Sequence, residues 1–137
     1  MRTINLIVIH CSATREGKDF TVKDIDRWHK ERGFKKIGYH YVIYRDGSVH
    51  EGRPLNEIGA HAAPFNKKSI GICYIGGLDA FARAKDTRTP EQKEALLKLL
   101  KELKRQFPDA EIVGHRDLTN VHKACPCFDA RKEYANV

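Results

Sequence analysis

The sequence predicts an α/β fold, a central mixed β-sheet flanked by helices, and three observations carry that expectation. Short β-branched runs alternate along the chain with amphipathic stretches of helical period. The first of those runs is apolar at nearly every position, as a strand buried on both faces must be. An Asp-Gly pair between two extended segments makes one strand pair antiparallel within an otherwise interleaved order.

The elements follow in order. Residues 4–10, from Ile4 through Leu6, Ile7, Val8 and Ile9 to His10, form the buried first strand. The chain then turns polar from Ser12 to Asp19. Thr21, with Asp24 three residues on, reads as the N-cap of a helix whose apolar stripe is Val22, Ile25 and Trp28. Gly33 stands where a C-terminal cap belongs. A second strand is expected from Tyr39 to Tyr44, then the Asp46-Gly47 hairpin turn and a short return strand from Val49 to Glu51. A further strand runs from Ile70 to Ile75 and closes on Gly76-Gly77, and the polar stretch from Asp79 to Arg88 reads as a loop.

Thr89-Pro90-Glu91-Gln92 is a capping box with proline at the first helical position. Leu96, Leu97, Leu99, Leu100, Leu103 and Phe107 line one face of the helix it opens, and Pro108 ends it. That stripe reads as core packing. A last strand from Ala110 to Gly114 leads into His115, a loop carries His122 to Cys127, and a short helix is expected over Asp129 to Tyr134.

Composition bounds the function. At 137 residues, 41% hydrophobic and 31% charged, residues 1–137 are expected to form one globular domain able to fold without disulfide staples. The four cysteines therefore need another explanation. A net charge of +7 suits polyanionic partners, whether nucleic acid, anionic lipid or bacterial wall. The basic residues are scattered, however, and no nucleic-acid motif appears. No apolar run approaches the ~18 residues of a membrane span. The stretch Leu6–Ile9 falls short of a signal-peptide core of ~7–15 residues, so synthesis in the cytoplasm without a signal peptide is expected.

Two histidines, His10 and His115, stand at the C-terminal ends of expected central strands, where catalytic groups of open α/β sheets gather. Cys125 follows on a loop able to fold back toward them. Two imidazoles and a thiolate suit Zn²⁺, and three protein ligands leave a fourth position for water, whose pKa falls to about 7. Spacing alone leaves a rival open. His115, His122, Cys125 and Cys127 make a possible structural four-ligand site, although Cys125 and Cys127 stand closer together than zinc-ribbon cysteines do.

A set of short blocks resembles the type-2 N-acetylmuramoyl-L-alanine amidase family, which includes small phage lysozymes of amidase specificity and animal peptidoglycan recognition proteins. The blocks are Ile9-His10-Cys11-Ser12-Ala13-Thr14, Trp28-His29-Lys30, Gly38-Tyr39-His40-Tyr41, Arg45-Asp46-Gly47 and Gly52-Arg53. They continue with Gly59-Ala60-His61-Ala62, Asn66 with Ser69-Ile70-Gly71-Ile72, Gly114-His115-Arg116-Asp117 and Lys123-Ala124-Cys125-Pro126. They span nearly the whole chain in the family's order.

The resemblance implies an amidase-like α/β fold and zinc-dependent hydrolysis of the amide between N-acetylmuramic acid and L-alanine in peptidoglycan. It makes His10, His115 and Cys125 the ligands of one zinc ion. Tyr39 matches the tyrosine beside the metal-bound water, Lys123 the lysine facing the developing oxyanion, and His61 and Asn66 match groove-lining positions. Cys127 departs from the pattern, because glycine or serine is commoner there, and His122 precedes Lys123 unusually. Cys11 and Cys73, in or beside apolar strands, read as buried free thiols.

The likeness implies a phage or prophage endolysin, acting as a monomer on peptidoglycan or muropeptides after release through a breached membrane. A host wall-recycling enzyme stays open, and so does a non-catalytic peptidoglycan-binding protein on the same fold. Binders in the family typically lack the ligand cysteine, and Cys125 is present. No nucleic-acid partner is expected.

Overall fold

The computed structural model of the chain describes residues 2–119 and 121–137. Among the described residues, seven strands and three α-helices occur in the order β1 (Leu6–Cys11), β2 (Thr14–Arg15), α1 (Val22–Glu31), β3 (Tyr41–Ile43), β4 (Val49–Glu51), β5 (Ser69–Tyr74), β6 (Gly77–Leu78), α2 (Pro90–Gln106), β7 (Glu111–Gly114) and α3 (Ala130–Glu133). The main sheet has the order β4-β3-β5-β1-β7, parallel throughout except for the β3–β4 hairpin. The expected mixed sheet is present, and its antiparallel pair sits at an edge around the Asp46-Gly47 turn.

β1 lies between β5 and β7, and period-2 alternation divides its side chains between two cores. Ile7, Ile9 and Cys11 pack with Leu96, Leu100 and Leu103 of α2 and with Ile70, Ile72 and Tyr74 of β5. Val8 packs on the opposite face with Val113, Ala62 and Leu118. Beneath α1, Ile25 joins Ile37, Val42 and Ile75. Each fully buried aliphatic side chain contributes about 1.5–3 kcal/mol.

Both capping boxes form. Thr21 pairs reciprocally with Asp24, and Thr89 with Gln92. Gly33 follows α1 at φ +95°, a conformation costly for a residue with a Cβ. Gln92 does further work, since its buried Nε2 donates to the carbonyls of Ile43 and Ile75 at the ends of two strands. The α2 stripe is narrower than the sequence suggests. Leu96, Leu100 and Leu103 are buried, whereas Leu97 is 36% exposed because it falls about 100° round the helix from Leu96.

Two short strands escape the sequence reading. β2 and β6 pair in parallel as a separate two-stranded sheet, Thr14 with Gly77 and Arg15 with Leu78. Neither has an apolar period; backbone hydrogen bonds pair them, and the Thr14 and Thr87 hydroxyls bond alongside, Thr87 Oγ1 accepting from Gly77 N–H. The strand expected from Tyr39 shortens to Tyr41–Ile43, although His40 N–H still donates to the Gly71 carbonyl.

Arg88 ties the C-terminal segment to the body. Its side chain, 1% exposed, donates to Asp86, Glu133 and the Tyr134 hydroxyl, with the guanidinium 3.4 Å from the Phe128 ring centroid. Arg88→Ala is expected to cost about 2–4 kcal/mol, since Asp86 and Glu133 regain some solvent when the cation is lost. Burial pushes Asp86 up, but its hydrogen bonds to Arg88 outweigh that and leave it below its ordinary value. Arg88 likewise holds Glu133 down. Depressed carboxylates stabilise the fold above their unfolded pKa and lose that contribution as pH falls through the folded value. The melting temperature of wild type should therefore drop below about pH 4, and the drop should be shallower in Arg88→Ala. Parallel slopes for the two proteins would contradict this assignment.

Candidate metal centre

The alternation that sends Ile9 and Cys11 toward α2 leaves His10 on the other face, at the C-terminal end of β1. β7 runs alongside in a register that pairs Ile9 with Gly114, so the next residue, His115, comes level with His10. Their ring centroids lie 4.5 Å apart. The loop after His115 is drawn back by three bonds. Arg116 N–H donates to the Cys125 carbonyl at 2.8 Å, the Tyr74 hydroxyl to the Pro126 carbonyl at 2.6 Å, and Cys11 N–H to Cys125 Sγ at 3.2 Å.

The result is a cluster in which one donor atom each from His10, His115 and Cys125 lies within 4.8 Å of the other two. Two nitrogens and one sulfur converging this closely fit a single borderline-soft divalent cation. Burial lowers the pKa of both histidines, and His61 lowers that of His10 further, so both rings are neutral and able to ligate. Among the described residues no second set of three such donors converges. The local alternative fails because His122 is exposed and Cys127 turns away toward Cys11.

Behind the centre stands a relay of side chains. His10 Nε2 is 2.9 Å from His61 Nδ1, and His61 Nε2 is 3.1 Å from Ser69 Oγ. Burial brings His61 down to about 3, which keeps its ring neutral. Gly71 makes room for that ring, since a Cβ there would come within 2.6 Å of it. Asn66 Oδ1 accepts from the N–H groups of His61 and Ala62 at 2.9 and 2.8 Å. His61 and Asn66 do line the groove, and each is also committed to a bond inside its wall.

The groove itself, about 470 Å³, runs past His10, Tyr39, His115, Lys123 and Cys125. Tyr39 is half-buried with its ring centroid 5.0 Å from that of His10, and burial pushes its hydroxyl well above the ordinary tyrosine value. Gly38 permits this placement, because a Cβ at that position would overlap the Ala60 carbonyl. Lys123 is exposed at the rim. A second depression, about 540 Å³ between Gly47 and α2, holds none of these groups.

His29 and Arg32 also line the groove, and the sequence reading gave neither a role. Gly38 N–H donates to His29 Nδ1 at 2.8 Å, which leaves the ring proton on Nε2. Burial lowers this ring to about 4. One signal was available, since His29 lies four residues after the buried Ile25 and so shares its inward face.

Comparison with known proteins shows the family. The sequence profile of a family described as N-acetylmuramoyl-L-alanine amidase matches residues 1–128. The endolysin of Klebsiella phage KP32 is 43% identical over 126 residues, covering 92% of this chain and 82% of that protein. The endolysin of Escherichia phage T7 is 39% identical over 126 residues, with the same coverage. Among solved structures, the endolysin N-acetylmuramoyl-L-alanine amidase LysCS from Clostridium intestinale superposes with a TM-score of 0.82 at 30% identity, covering 99% of this chain and 86% of that one.

Proposed function

The chain belongs to the N-acetylmuramoyl-L-alanine amidase family, and on that premise we propose that it cleaves peptidoglycan at a zinc centre held by His10, His115 and Cys125. The activity is that of an amidase, hydrolysing the bond between N-acetylmuramic acid and L-alanine, in a protein of the phage-endolysin kind. The convergence of two imidazoles and a thiol at the floor of a groove carries the metal assignment. Zinc held there would supply Lewis acidity and lower the pKa of water toward neutrality.

The chain's own residues supply the rest. With Nε2 of His10 engaged by His61, Nδ1 is the nitrogen left for a metal, and His61 fixes the tautomer that presents it. Ser69 in turn orients His61. Lys123 Nζ, at the rim, places positive charge where the carbonyl oxygen of the scissile amide becomes negative. Tyr39 Oη stays protonated and so can donate to, or relay a proton toward, the departing alanine nitrogen. His61 and Asn66 shape the groove wall against glycan or peptide while bracing it. One zinc per chain and a monomeric enzyme complete the reading.

The likeness to proteins named as endolysins supports a site of action at the cell wall. Among the described residues no helix is long and apolar enough to cross a membrane. Release to the wall through a breached membrane is part of the same proposal.

The test is the bond that breaks. Digestion of purified peptidoglycan should release new α-amino groups carrying N-terminal alanine, with no rise in reducing sugar ends. A rise in reducing ends without new amines would mean that a glycosidic bond is cut and would overturn the reading.

A further inference from the structure

Beside the metal centre two other thiols face each other. Cys11 ends β1, one residue past His10, and is 5% exposed on the α2 side of the sheet. Cys127, two residues past Cys125, is half-buried with a left-handed backbone at φ +71°. Its Sγ lies 3.9 Å from Cys11 Sγ and 3.2 Å from the Gly77 carbonyl. The space the two sulfurs share exists because residue 77 is glycine, where a Cβ would come within 2.5 Å of Cys11 Sγ. Cys125 Sγ turns toward the two histidines and accepts from Cys11 N–H, and the Cys11 thiol also interacts with it.

We propose that Cys11 and Cys127 are a dithiol site that closes to a disulfide when the protein meets a small-molecule disulfide oxidant, leaving Cys125 as a free ligand thiol. Cys127, the more accessible thiol, attacks one sulfur of the oxidant RSSR as its thiolate and releases RS⁻. The Cys11 thiolate then displaces the second RS⁻ from the mixed disulfide. The two protons lost by the protein end on two RSH molecules, and its two electrons reduce the oxidant. The sulfurs must close from 3.9 Å to about 2 Å.

The bond joins positions 116 apart in sequence and cross-links the two segments that carry His10 and Cys125. Closing so long a loop restricts the unfolded chain and holds the Cys125 loop against β1 even without metal. The chemistry is independent of the amidase reading. Only its use, in an oxidising space outside the cytoplasm, rests on it.

The experiment treats zinc-loaded protein with oxidised glutathione, alkylates the remaining thiols and maps the peptides by mass spectrometry. The expected product retains zinc, measured before the protein is unfolded for alkylation, and has one cross-link, between the Cys11 and Cys127 peptides, with Cys73 and Cys125 alkylated. The melting temperature should rise by about 5 °C or more. Cys127→Ser should form no cross-link and keep full amidase activity in reductant, and Cys11→Ala should likewise form none. Four alkylated cysteines, a glutathione adduct that never closes, or a cross-link containing Cys125 with loss of zinc would each overturn the proposal. Protection of both thiols by a second zinc ion would overturn it too.

Discussion

Cys125→Ser is expected to lose bound zinc and amidase activity together while remaining folded. Cys125 supplies the one sulfur donor of the cluster, and the loop bearing it is anchored independently through Arg116, Tyr74 and the Cys125 backbone. Serine preserves those backbone bonds and removes the thiolate. Losing several kcal/mol of metal-derived transition-state stabilisation corresponds to a fall of about 10³-fold or more in kcat/KM. Elemental analysis, thermal melting and peptidoglycan digestion on one preparation read all three quantities. Zinc and activity that both survive the substitution would show that the centre lies elsewhere. A substitution of Cys127 under reducing conditions should change neither, since that sulfur faces Cys11 and Gly77.

Lys123→Ala should produce the opposite separation, with zinc content unchanged and kcat reduced by about 10²-fold or more. The side chain is exposed at the rim and takes no part in the donor cluster, so its removal leaves the ligands in place. The loss should appear mainly in kcat, because charge on the carbonyl oxygen develops only on the way to the transition state. Lys123→Arg should recover part of it, as the cation is kept with altered reach. A rise in KM alone would assign Lys123 to substrate binding instead.

Much of this architecture was legible in the chain itself. Continuous β-branched apolar runs located β1 and β5, helical patterning located α1 and α2, and side-chain chemistry located both capping boxes and the hairpin. Those signals are local, and so they survive without a structure. The candidate metal centre was legible in a different way. His10 and His115 each mark a strand end, but nothing local says that β1 and β7 are neighbours, and the pairing of Ile9 with Gly114 makes the two rings meet. The order of residue blocks, matched to a family, stood in for that missing topology.

What stayed hidden depends on contacts between distant segments. The Ser69–His61–His10 relay joins three separate elements, and the expected groove-lining roles of His61 and Asn66 gave no hint of the bonds both make inside the wall. The pairing of β2 with β6 rests on backbone bonds that no side-chain pattern announces. Cys127 looked like a departure of no defined role until the fold brought it to Cys11.

The most direct test of a zinc-dependent amidase is release of N-terminal alanine from purified peptidoglycan before chelation, after removal of metal, and after zinc is returned. The account predicts that activity falls to background with the metal and returns at one zinc per chain, with no new reducing ends at any stage. Undiminished amine release from metal-free protein would contradict it.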